Sequence, residues 1–166
     1  MAKKLELYHK TVDILFQAYF NDTLRHGNCY ACAVGNMIAA NGGYKFETDA
    51  NAEDPGLSIY WKGFSPYSSD SKDPVWPAWL EYVREVNYYR DDEEAAKEEV
   101  RLTGYSRNEL MLIEHAFENA VYGNSYEDYM FNGLVAVLEV LKQIHEIEDN
   151  EPHVTRFRNH YNTKVF

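Results

Sequence analysis

A chain of 166 residues is one domain or at most two small ones, and it can bury a core without disulfide support. Hydrophobic residues make up 45% and charged residues 26%, the balance of a soluble globular protein and not of a disordered one. With 16 Lys+Arg against 27 Asp+Glu, the net charge of -11 argues against direct nucleic-acid binding, because phosphate affinity comes mostly from basic side chains.

Residues 4 to 20 predict an amphipathic helix, since Leu5, Tyr8, Val12, Leu15, Phe16, Tyr19 and Phe20 recur at spacings of three and four. A short break at Arg25 to Asn28 follows. Asn28 reads as the cap of a second helix from Cys29 to about Ala40, closed by Asn41-Gly42-Gly43. Between 44 and 75 three prolines and an acidic patch interrupt the periodicity, and Tyr44 to Thr48 and Leu57 to Lys62 read as two strands of a hairpin. The opening Asp49-x-Asn51-x-Glu53 resembles a calcium loop, but Asp54 and Tyr60 stand where an EF-hand needs Gly and Glu.

Helix returns near Trp76 with the stripe Trp79, Leu80, Val83 and Val86, and an acidic, helix-prone run follows from Asp91. Thr103-Gly104-Tyr105 is a break. Ser106 and Glu109 have capping-box spacing directly before Leu110, Ile113, Phe117 and Val121. Ser125 and Asp128 repeat that logic ahead of a long helix from 126 to 148, whose stripe is Met130, Leu134, Val137, Leu138, Leu141, Ile144 and His145. The stretch 150–166 is weakly periodic and reads as a C-terminal tail that packs on an acidic face or stays loose. The expected fold is mainly α, a bundle-like single domain (1–149) of five to six helices with a hairpin or ordered loop insertion at 44–75.

One constellation carries chemistry. His26, Cys29 and Cys32 offer an imidazole and two thiols at a loop-to-helix junction, a donor set that suits zinc. His145 is the best-placed fourth ligand, ahead of His115, which lies off its helix stripe. The competing reading is structural: Cys is among the most buried residue types, and Ala31, Gly35 and Ala39 form a small-residue ridge beside the two cysteines. Asn28 to Ala33 also resembles the nucleophile segment of papain-like cysteine peptidases, which would make Cys29 the thiol of an enzyme. Those enzymes need a His and an Asn or Asp delivered by a later sheet, and the predicted elements provide no such sheet.

By elimination, the sequence favours a small cytoplasmic interaction or regulatory protein. Its partner is a protein, basic in character, met by an acidic and Tyr-rich surface around Asp91, Asp92, Glu93 and Glu94. Only two cysteines and no apolar signal core or membrane-length run support that location. A zinc-binding protein and a Cys29 thiol enzyme are the alternatives. The 14 tyrosines imply a core with many polar edges, and Trp61, Phe64, Tyr67, Trp76 and Trp79 either line a pocket or close that core.

Overall fold

The computed structural model describes residues 4–24, 32–41, 44–48, 57–61, 97, 100–120 and 122–165, the two strands by their backbone. The fold is mainly α. Its elements are α1 (Leu5–Phe20), α2 (Ala33–Ala40), β1 (Tyr44–Thr48), β2 (Leu57–Trp61), α3 (Arg107–Asn119), α4 (Tyr126–His145) and α5 (Glu151–Val165). β1 and β2 pair antiparallel, with Tyr44 opposite Trp61 and Thr48 opposite Leu57. Helix α4 packs on α3, α1 and α5, while α2 bridges α1, α3 and β1.

The periodicity in the sequence becomes one continuous core. Val12, Leu15, Met37, Ile38, Leu110, Ile113, Phe117, Leu134, Val137, Leu138 and Leu141 are all buried together. Tyr8, Tyr19 and Tyr105 join them and are among the largest fully buried side chains, so part of the tyrosine excess is core. Asn36, only 4% exposed, ties the exit of α1 to α2. Its amide donates to the carbonyls of Thr23 and Cys32, and its Oδ1 accepts from the Thr23 hydroxyl.

The capping motifs act as their spacing requires. The Ser106 hydroxyl accepts from Glu109 N, and the Glu109 carboxylate accepts from Ser106 N at 2.9 Å. At α4 the Ser125 hydroxyl accepts from Asp128 N at 3.2 Å, and Asp128 in turn accepts from Asn124 N. The reading of α2 is corrected at its start. Cys32 has extended backbone (φ -71°, ψ -177°), so no helix runs through it, and Cys32 itself is the cap. Helix α4 also stops at His145, earlier than 148, because Glu146 takes left-handed backbone geometry (φ 54°). The stretch 151–165 read as a tail is a helix. Its apolar pattern is sparse because only Val154 and Phe157 are buried.

Gly123 makes the turn into α4 at φ 113°, and a Cβ there would run into Asp128, the residue that closes the cap. Replacing Gly123 with Ala is therefore expected to destabilise the fold by about 1–3 kcal/mol. Ser106→Ala, which opens the capping box, should cost about 1 kcal/mol. Chemical denaturation of the two variants checks both values and their order.

Candidate functional site

Of the four expected metal donors, His26 and Cys29 lie outside the described residues. Cys32 is fully buried and committed at both ends: its sulfur accepts from Gly35 N at 3.3 Å and sits 4.0 Å from Oε1 of Glu114. A thiol facing a carboxylate acts as donor, so the cap and the Glu114 contact together anchor α2 to α3. His145 is buried at the end of α4, where its Nε2 shares a 2.8 Å hydrogen bond with the Tyr105 hydroxyl. The two described donors are thus held by different partners. Among the described residues no three His, Cys, Asp or Glu side chains converge on a metal position. His115 is exposed.

His145 belongs instead to a buried polar chain that begins on α1. Thr11 Oγ1 lies 3.0 Å from the Tyr105 hydroxyl, which continues to His145. Burial pushes the Tyr105 phenol well above its usual range, with the Thr11 bond opposing. Tyr8 covers this chain, its ring edge-on to His145 at 5.6 Å. On its other contacts Tyr8 meets His9 at 5.3 Å and His153 at 5.5 Å, so three of the six histidines surround one tyrosine. The Tyr8 and Tyr19 hydroxyls are buried without a hydrogen-bond partner, which costs about 1–3 kcal/mol per group.

Two surface features stand out. A groove of about 780 Å³ runs between α1 and α2, with Ile14, Ala18, Ala39 and Ala40 on its apolar side and Lys10, Asp13 and Gln17 on its polar side. At the turn from α4 to α5, Glu146, Glu148, Asp149 and Glu151 are all exposed. Glu151 reaches Arg158 at 3.6 Å across a half-exposed contact. Exposed tyrosines gather elsewhere: Tyr122 and Tyr126 are 65% and 44% exposed at the start of α4. A 20-residue helix is about 30 Å long, so the acidic turn and these tyrosines lie at opposite ends of α4.

Asp91, Asp92, Glu93 and Glu94 lie outside the described residues, as do Phe64, Tyr67, Trp76 and Trp79. The acidic turn was missed in the sequence although its signal is plain, with four carboxylates between residues 146 and 151. The helix expected over 126–148 takes in Glu146 and Glu148, and the tail expected from 150 takes in Glu151. Comparison with protein-family models, with curated proteins and with solved structures finds no match. No described helix is long and apolar enough to cross a membrane.

Tyr105→Phe removes both hydroxyl bonds and leaves Thr11 and His145 to lose a partner inside the core. The expected cost is about 1–3 kcal/mol, larger than an isosteric apolar swap would give. Urea unfolding of the variant, compared with Tyr122→Phe at an exposed site, checks it.

Proposed function

We propose that this chain is a small cytoplasmic interaction or regulatory protein that offers an acidic surface to a basic protein partner. The observation that carries the reading is the turn between α4 and α5, where Glu146, Glu148, Asp149 and Glu151 stand exposed on a corner set by two packed helices. Like charges crowded at one corner repel one another in the folded state, and a basic partner relieves that repulsion. The Glu151–Arg158 pair is too exposed to neutralise the corner, since such pairs contribute about 0–1 kcal/mol. The run Asp91 to Glu94 adds to the negative charge of the chain, and the net charge of -11 steers a basic partner toward it. Charged surfaces of this kind set association rate and specificity more than they set final affinity.

The zinc reading gains no support from the two donors the structure describes, as each has a structural partner. The thiol-enzyme reading rests on Cys29 alone.

The test is affinity capture from source cells followed by titration of the captured protein against purified chain. The Glu146→Lys/Glu148→Lys double variant should bind at least about tenfold more weakly, mainly through a slower on-rate, and added salt should weaken the wild type in the same way. An association that is indifferent to both salt and charge reversal contradicts the proposal.

A further inference from the structure

Helix α5 runs parallel to α1, and packing fixes its register. Asp13 holds Arg156 at 2.7 Å, Phe16 stacks on Phe157 at 5.6 Å, and Tyr19 meets His160 at 4.7 Å. Val154 and Phe157 are buried in the core beside these pairs. At the first turn of α5 the same register brings two histidines together. The His9 and His153 rings lie 5.7 Å apart, centroid to centroid. Tyr8 stands edge-on to both, at 5.3 Å and 5.5 Å. Each histidine is next in sequence to a buried anchor, Tyr8 on α1 and Val154 on α5, so the backbone beneath both rings is held by the core.

Neither ring is engaged in a side-chain hydrogen bond or an ion pair among the described residues, in contrast to His145, which is committed to Tyr105. His9 is exposed and His153 half-buried, so both are reached from solvent. Imidazole nitrogen is a preferred ligand of the late first-row divalent metals. A metal–nitrogen bond of about 2.0–2.1 Å plus the radius of the ring puts two imidazoles that share one ion about 5–6 Å apart. The observed 5.7 Å lies in that range. The charges nearby also suit a cation. Asp13 and Arg156 both act on His153, but they are paired with each other and largely offset. Beyond them stands the acidic turn, where Glu146, Glu148, Asp149 and Glu151 are exposed just ahead of His153, and the charge of Asp149 is felt at Tyr8 between the two rings. Among the described residues no third His, Cys, Asp or Glu side chain completes a cluster, so the protein offers two donors and leaves the remaining positions to water.

We propose that His9 and His153 form a surface site for a late first-row divalent metal ion such as Ni²⁺ or Zn²⁺, and that the bound ion pins the start of α5 to α1. The two donors come from opposite ends of the chain and meet only when it is folded, so the ion binds the folded state in preference and stabilises it. Packing of α5 on α1 presents the second ring at a high effective concentration once the first has bound, which makes the pair a chelate and not two independent ligands. The site shares no residue with His26, Cys29 and Cys32, and it does not depend on the acidic turn meeting a protein partner.

Calorimetric titration of Ni²⁺ into the untagged full chain, paired with thermal unfolding, tests this at pH 7.5, where imidazole is mostly neutral and able to ligate. Ni²⁺ is the probe because it suits imidazole and does not oxidise the thiols. The chain should take up one Ni²⁺ and unfold at a higher temperature with it. His9→Ala should bind at least about tenfold more weakly and lose the thermal rise, since one ring alone has no chelate advantage. His9 is exposed, so this variant leaves the core intact. His153→Gln, which keeps a side chain of similar length, should behave alike. His115→Ala and Cys29→Ser should bind as the wild type does. No saturable uptake at millimolar Ni²⁺, unchanged affinity in His9→Ala, loss of binding in Cys29→Ser, or uptake without a thermal rise each overturns the proposal.

Discussion

Helix α4 has to be covered on most of its circumference, and the rest of the molecule is arranged by that demand. It buries Met130, Gly133, Leu134, Val137, Leu138, Leu141 and His145, which no single neighbour can shield. Helices α3, α1 and α5 each take a share, and α2 closes the space between α1 and α3. Burying one Leu or Val side chain contributes about 1.5–3 kcal/mol. Exposed ion pairs such as Asp13–Arg156 contribute about 0–1 kcal/mol. The aliphatic seam between α3 and α4 therefore outweighs anything on the surface, and it is where the fold is decided.

Helix α5 is attached on other terms. It gives the core Val154 and Phe157 and otherwise relies on rings, histidines and ion pairs. The Arg156 guanidinium lies 3.8 Å over the Phe16 ring while pairing with Asp13, so one side chain serves two weak contacts. The Tyr8 and Tyr19 hydroxyls, buried without partners, make that seam costlier than an apolar one. Helix α5 therefore shares the core through Val154 and Phe157 but meets α1 through a more polar layer. The acidic turn that precedes α5 joins it to α4.

Much of the helical framework was legible because it depends on local rules. Periodic Leu, Ile, Val and Tyr positions mark α1, α3 and α4, and the Ser106–Glu109 spacing fixes the start of α3 at Arg107. What escaped the sequence depends on partners far along the chain. Cys32 caps α2 through its sulfur, a role that composition rules assign to Asn28 instead. His145 looks like a spare donor on a helix stripe, yet its partner is Tyr105, 40 residues earlier. Helix α5 lacks a clear apolar stripe because its register against α1 is written in Tyr–His and Asp–Arg pairs. No reading of residues 150–166 alone shows those contacts.

The account turns on two layers of unequal strength, a hydrophobic platform centred on α4 and a polar-held α5. Native-state hydrogen exchange at neutral pH, followed through a series of low urea concentrations, measures the opening free energy of each helix separately. The amides of α4 should open only with global unfolding, and those of α5 should open earlier, at a lower free energy and with a smaller urea dependence. If α4 and α5 share one opening free energy and one urea slope, the molecule is a single cooperative unit and the layered account fails.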